Sequence, residues 1–220
     1  IVSRSPSLTS IAVSLGCAGT VVGITSYDSI PGVYTASVGT LMNPSIEAII
    51  RLHPDAVVFC AEDSAVQHME SLAAAGIRAV EFPRVRSFGD SLSILRGMGT
   101  LLGKKAGAEA LADSYLASYR GSASPTRLKT LFILSADPVI AASDSSFLGS
   151  LIRDAGGICC AVSGANPYPV LSKEYVVRSA PDIVVSAFHG AADSIGKSYS
   201  QFRDLPFMKR NIAEIDPDIA

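Results

Sequence analysis

The sequence predicts an α/β fold: two Rossmann-like lobes with mostly parallel sheets, joined by one long rigid helix, with a ligand cleft between the lobes. Three observations predict it. First, short apolar runs alternate with segments of helical spacing along most of the chain, which is the pattern of βαβ units. Second, a segment is written twice, 127 residues apart. Ser45-x-Glu47-x-x-x-Arg51-x-x-Pro54-Asp55-x-Val57-Val58 returns as Ser172-x-Glu174-x-x-x-Arg178-x-x-Pro181-Asp182-x-Val184-Val185, with seven of fourteen positions identical. Third, a long helical pattern over about Phe88–Tyr119 separates the two alternating regions.

The elements follow in order. Ile1–Arg4 reads as a strand. Pro6-Ser7 opens a helix with apolar residues at Leu8, Ile11, Ala12 and Leu15, and Gly16 stops it. Val21–Thr25 is the next strand. Asn43 as N-cap and Pro44 at the first position start another helix, whose apolar face is Ile46, Ile49 and Ile50. Ala56–Cys60 is continuously apolar, so it reads as a parallel strand buried on both faces. A helix over about Ala65–Ala75 ends at Gly76, and Arg78–Phe82 is a fourth strand.

In the central pattern Leu92, Leu95, Met98, Leu102, Ala106, Leu111, Tyr115 and Tyr119 recur mostly at threes and fours. Thirty residues of helix would run about 45 Å, enough to cross two small lobes. Gly97, Gly99, Gly103 and Gly107 each cost about 1 kcal/mol in a helix interior. They predict either close packing or a break near Gly103–Gly107. Gly121–Thr126 is a Ser/Pro linker. Strands then follow at Leu131–Leu134, Val139–Ala142 and Ile158–Val162. Ser145 or Ser146 caps a helix through Ala155, which Gly156-Gly157 ends. Ser172 caps the repeated helix, Ile183–Ser186 is its strand, a short helix lies near Tyr199–Arg203, and Ile212–Ile215 closes as a strand. The expected division is an N-terminal lobe over 1–88, a connecting helix over 89–120 and a C-terminal lobe over 121–220.

Composition narrows the function. At 220 residues the chain can bury roughly 70% of its unfolded surface, so it needs no disulfide or metal to fold. A net charge of −2 without a basic run argues against nucleic-acid binding and against an electrostatic membrane anchor. Cys17, Cys60, Cys159 and Cys160 show no C-x-x-C or zinc-finger spacing, so they read as small core residues. His53, His68 and His189 do not cluster into a metal site. There is no G-x-S-x-G, no Walker loop and no strand followed by G-x-G-x-x-G. The chain opens on a strand without an initiator Met and stops abruptly at Asp216–Ala220, so the reading expects trimmed ends, which leaves room for a removed export signal.

With these residues in view, the chain resembles the substrate-binding proteins of bacterial ABC importers for vitamin B12 and ferric siderophores. Ile1-Val2-Ser3-x-x-Pro6-Ser7-Leu8-Thr9 and Val21-Val22-Gly23-Ile24-Thr25-x-Tyr27 look like that family's opening elements. Val38-Gly39-x-x-x-Asn43-Pro44-Ser45-Ile46-Glu47, running on to Pro54-Asp55, is its most specific signature. Leu101-Leu102-Gly103 and Ala155-Gly156-Gly157 match further along. The resemblance implies a monomeric binding protein, not an enzyme, with no cofactor of its own. It would work in the periplasm or on the cell exterior as a membrane-anchored lipoprotein. Its ligand would be a metal chelate, with a corrinoid favoured over a ferric siderophore or haem. Its partner would be the membrane permease, docked by Glu47 and Glu174. For those two glutamates the helix dipole is a sufficient alternative reason.

Ligands of open α/β sheets bind at the carboxyl ends of strands. That rule nominates Tyr27, Asp28, Leu41, Met42, Cys60, Glu62, Arg84 and Arg86 on the first lobe. On the second it nominates Ser143 to Ser145, Tyr168, Phe188 and His189. Tyr27 and Tyr168 follow matching elements and would close on a ligand from both sides. Arg84 and Arg86 would favour an anionic chelate if they face the ligand. The rival class is a two-lobed, cofactor-dependent oxidoreductase, which would carry a bound chromophore.

Overall fold

A computed structural model describes residues 1–31, 35–61, 66–120, 127–136, 138–161, 166–186 and 212–214. The chain divides into two compact units, Ile1–Val85 with Gly89–Ala117, and Arg86–Phe88 with Ser118–Ala220. The fold is mixed α/β with mostly parallel strands, as the sequence predicts.

In the first unit the elements are β1 (Val2–Ser3), α1 (Pro6–Ser14), β2 (Gly23–Ile24), β3 (Ala36–Ser37), α2 (Ile46–Arg51), β4 (Ala56–Cys60), α3 (Val66–Ala74) and β5 (Arg78–Phe82). The strands lie in the order β3-β2-β1-β4-β5, and each neighbouring pair is parallel. Alternation along β4 shows why this strand reads as apolar throughout. Val57 joins the core under α2 and α3, with Val2, Ile49, Leu72 and Ile77. Val58 joins the opposite core, with Leu8, Ala12, Phe82, Ile94 and Met98. Both faces of the sheet are covered, so every side chain of β4 is buried.

The central helical pattern is two helices rather than one: α4 (Phe88–Leu101) and α5 (Lys105–Arg120). The chain turns at Gly103, whose φ of 68° suits glycine. Beyond the turn the two helices touch. An ideal Cβ placed on Gly99 would fall well inside 3.0 Å of the Ala108 side chain. Arg96 Nε also donates to Glu109 Oε2 at 2.8 Å. Two of the glycines that weaken the pattern in the sequence, Gly103 and Gly99, therefore serve a turn and a close helix–helix approach.

The second unit contains β6 (Lys129–Ala136), β7 (Val139–Ala141), α6 (Phe147–Asp154), β8 (Ile158–Cys159), α7 (Lys173–Ser179), β9 (Ile183–Ser186) and β10 (Ile212–Glu214). The path of the sheet is β10-β9-β6-β7. On the edge of β6 away from β9, β8 pairs parallel with its start and β7 antiparallel with its end. Expected strands at Ile158–Val162 and Val21–Thr25 are shorter than their apolar runs, and Val162 lies outside the described residues. The linker 121–126 and the helix near Tyr199–Arg203 also lie outside them.

The duplicated segment folds twice in the same way. Ser45 Oγ accepts from the Ala48 N–H, and Ser172 Oγ from the Tyr175 N–H. Both serines are N-caps, so the expectation of Asn43 as cap is corrected by two residues. Pro44 instead closes an antiparallel bridge to Gly39. After each helix, the residue before the proline is left-handed: His53 and Ala180 both have a φ of 45°. Ile49 and Val176 are both fully buried. The register also repeats, with Val2 opposite Val57 and Leu131 opposite Val184.

Candidate functional site

The parallel sheet of the first unit gathers the ends of its strands at one edge. The loop leaving β2 carries Tyr27 and Asp28. Tyr27 is 73% exposed, and Asp28 Oδ1 accepts from the Ser29 N–H at 2.8 Å. The loop leaving β3 is a tight hairpin. Ser45 N–H donates to the Val38 carbonyl and Thr40 N–H to the Asn43 carbonyl. Gly39 sits at φ 92°, where a Cβ would meet the Asn43 oxygen at 2.6 Å, so the loop requires glycine there. This explains the spacing of Val38-Gly39-x-x-x-Asn43-Pro44-Ser45. Leu41 and Met42 form the tip, and Met42 is 81% exposed.

Arg4, just past β1, ties that hairpin to the sheet. It is buried, its Nη2 donates to the Leu41 carbonyl at 3.0 Å, and its guanidinium lies 5.9 Å from the Phe59 ring centre. Sequence reasoning missed Arg4, because an arginine after a short strand ordinarily reads as solvated. Thr25, past β2, is another buried polar side chain at this edge that was not nominated. Cys60 is turned into the core, where its thiol donates to Ser5 Oγ at 3.7 Å. Arg84 and Arg86 are both exposed. Arg84 falls in the first unit and Arg86 in the second.

In the second unit, the Asp144 N–H donates to the Ala161 carbonyl just past β8. Ser143 to Ser145 therefore sit at the carboxyl end of β8. Ser143 is buried, and its hydroxyl lies 3.1 Å from that of the exposed Ser145. The segment 166–171 runs beside β7, with Ala141 N–H to Pro169 O and Leu171 N–H to Val139 O. It presents Tyr168, 40% exposed, whose N–H donates to Asn166 Oδ1. Glu62, Phe188 and His189 lie outside the described residues. Two cavities of about 440 and 280 Å³ open at the amino edges of the sheets, beside Asp55 and Arg78 and beside Lys129 and Arg178. These edges are opposite the nominated residues.

Glu47 and Glu174 stand exposed in the first turns of α2 and α7. The Glu174 carboxyl is held below its usual range, first by its own backbone N–H and then by the Ser172 hydroxyl. It therefore stays an anion across ordinary pH. Among the described residues, no group of three or more His, Cys, Asp or Glu side chains is placed to hold a metal ion, and no helix is long and apolar enough to cross a membrane.

These features can be set beside known proteins. The chain is 23% identical over 217 residues to the vitamin B12-binding protein of Salmonella typhimurium, covering 96% of this chain and 81% of that one. It is 24% identical over 235 residues to an uncharacterised ABC transporter substrate-binding lipoprotein of Bacillus subtilis, covering all of this chain and 73% of that one. Its fold is similar to the crystal structure of the periplasmic haem-binding protein of Vibrio cholerae, with a TM-score of 0.84 at 18% identity, covering 98% and 89% of the two chains. Residues 1–210 match the family model described as periplasmic binding protein. The chain thus belongs to the periplasmic binding protein family of ABC importers, whose members are extracytoplasmic substrate-binding proteins with a membrane permease as partner, and not enzymes.

Proposed function

We propose that this chain captures a metal-chelate nutrient outside the cytoplasmic membrane and delivers it to an ABC permease, with a corrinoid as the favoured cargo. The observation that carries the ligand reading is the chemistry of the strand-end edges. Tyr27 and Met42 on the first unit, beside the half-buried Leu41, and Tyr168 with Val170 on the second, leave large apolar and aromatic side chains in solvent. Surface of that kind beside a few polar groups such as Asp28 and Ser145 suits a large, partly apolar ligand. The vitamin B12-binding relative supports the corrinoid reading. Haem is the second reading, supported by the likeness to a haem-binding protein. A ferric siderophore is the third; the exposed Arg84 and Arg86 would serve its anionic groups. Anchoring as a lipoprotein belongs to the proposal too, supported by the Bacillus relative's description.

The ligand is tested by co-elution. The protein is incubated with cobalamin, cobinamide, haem or a ferric siderophore, desalted, and its visible spectrum recorded. Retained colour with a corrinoid is expected. Retention of haem or a ferric siderophore alone replaces the cargo, and no retention of any chelate counts against the whole reading.

Docking is assigned to Glu47 and Glu174. Exposed carboxylates at an interface rim set encounter and register more than raw affinity. The double variant Glu47→Arg with Glu174→Arg is expected to bind ligand normally and to abolish stimulation of the cognate transporter's ATPase. Unchanged stimulation would remove the docking role.

A further inference from the structure

We infer that the two repeated helices dock through an apolar contact as well as through their carboxylates. Ile50 beside Glu47, and Val177 beside Glu174, form a repeated acidic–aliphatic face. That face takes a permease segment carrying a basic residue next to an apolar one. The inference rests on the docking reading of Glu47 and Glu174 and adds the residue that holds the contact closed.

Residues three apart on a helix share a face, with Cβ atoms about 5–6 Å apart. Glu47 and Ile50 have that spacing on α2, and Glu174 and Val177 have it on α7. The aliphatic residues just before them, Ile49 and Val176, are fully buried and already supply the packing of each helix on its sheet. Ile50 and Val177 contribute much less to that packing, since they are 36% and 47% exposed.

A single exposed aliphatic side chain is ordinary on a protein surface. What is unusual here is that it recurs. The two copies differ at seven of fourteen positions. The replacements include Ile46 to Lys173, Ala48 to Tyr175, Leu52 to Ser179 and His53 to Ala180. The neighbourhood has therefore changed in size and polarity, yet the exposed position stays β-branched and apolar.

Partial burial accounts for some of this, although neither residue is among those packed in the cores that hold Ile49 and Val176. Glu47 and Glu174 are favoured in a first turn, and Arg51 and Arg178 in a last turn, by the helix dipole. Isoleucine and valine are only middling helix formers, and a polar residue would serve on a solvated face. The recurring feature that folding explains least is the apolar one. Complementarity then fixes the partner's chemistry: a cation for the carboxylate and an apolar side chain alongside it. In such a contact the charges govern the approach, and the desolvated aliphatic group governs dissociation.

The test uses the whole chain and the cognate permease–ATPase complex in lipid nanodiscs, with association and dissociation rates measured at two salt concentrations. I50T/V177T keeps β-branching but puts a hydroxyl in place of an ethyl group at 50 and of a methyl group at 177. It is expected to raise Kd by about tenfold to thirtyfold through faster dissociation, with the salt dependence of association unchanged. The exchange I50V/V177I keeps both positions apolar and is expected to bind like the parent. V13T alters an aliphatic residue of similar exposure, 38%, on α1, and is also expected to bind like the parent. Thermal melts of every variant confirm that it is folded. If I50T/V177T binds like the parent while E47R/E174R does not bind, the apolar contact is refuted and carboxylate docking stands. If E47R/E174R also binds like the parent, the docking reading itself falls. If V13T weakens binding as much as I50T/V177T, the effect does not belong to this face and the inference is overturned.

Discussion

The α4–α5 turn makes opposite predictions for two glycines, one in each helix. Gly99 is buried in α4, and a Cβ added there would fall well inside 3.0 Å of the Ala108 side chain and 3.3 Å from the Lys104 carbonyl oxygen. Carbon contacts settle at about 3.5–4.0 Å, so the helices would have to part by more than about 0.5 Å. Overpacking of this kind costs about 1–3 kcal/mol, and its upper end applies because Ala108 is backbone-proximal and cannot swing away. The gain in helix propensity from alanine returns about 1 kcal/mol. Gly99→Ala should therefore lose about 2 kcal/mol, which lowers Tm by roughly 4–8 °C for a chain of this size. Gly107 lies in α5 with nothing within 4 Å of an added Cβ. Gly107→Ala should gain about 0.5 kcal/mol, raising Tm by roughly 1–2 °C. Far-UV circular dichroism melts measure both shifts. A Gly99→Ala protein that melts at or above the parent temperature would refute the close helix approach.

Further predictions concern thiols and pH. Cys17, Cys60, Cys159 and Cys160 are all buried, and burial pushes the Cys160 thiol up to about 11. An aromatic disulfide reagent at pH 8 should find no fast-reacting thiol in the native protein and four after denaturation; one rapid equivalent would contradict the packing. Tyr119 stacks on Phe88 at 3.8 Å, and its hydroxyl donates to Asp154 Oδ2 at 2.7 Å. Burial first, and then Asp154, raise its pKa to about 12. Because the folded value exceeds the unfolded value of about 10, this contribution is whole below pH 10 and is lost as pH rises through about 12. Urea midpoints should fall over that window in the parent and fall less in Tyr119→Phe; identical profiles would remove Tyr119 as the cause.

Much of the fold was legible because its signals are local. Ser172 and Ser146 cap where a short polar residue precedes an apolar helix face, and Arg78–Phe82 and Ile183–Ser186 are strands with the bounds their composition implies. The misreadings arose where two local signals compete. Asn43-Pro44-Ser45 offers two caps, and the hairpin closed by Gly39 and Pro44 leaves the role to Ser45. The central pattern kept its helical period through Gly103 because a turn of three residues barely disturbs spacing by threes and fours. At the site, Tyr27 and Met42 could be nominated because strand ends mark the edge of a parallel sheet. Arg4 could not, since its burial depends on Phe59 and Leu41, which are distant in sequence. The strand β7 was legible at Val139–Ala142, but its antiparallel direction depends on its partner β6 rather than on its own three residues.

The repeated turns carry a last prediction, because they hold a strained conformation in both copies. His53 and Ala180 each sit at φ 45° before a proline. For a residue with a Cβ, the left-handed region costs roughly 1–2 kcal/mol. Proline keeps the preceding residue out of the right-handed helix, so the strain cannot be relieved by extending α2 or α7. The conformation turns each helix sharply into its buried strand, β4 or β9, and so fixes how Glu47 and Glu174 are presented beside their own sheets. Ala180 is exposed, so replacing it with glycine removes no packing. Glycine relieves the strain and costs about 0.5–1 kcal/mol in unfolded-chain entropy. The difference is a gain of about 0.5–1 kcal/mol, or a Tm higher by roughly 1–4 °C. Ala180→Gly that lowers Tm would mean that the turn is not strained. Ala180→Gly that raises Tm but weakens permease binding would show that the rigidity of the turn serves docking, since the substitution leaves the side chains of Glu174 and Val177 unchanged.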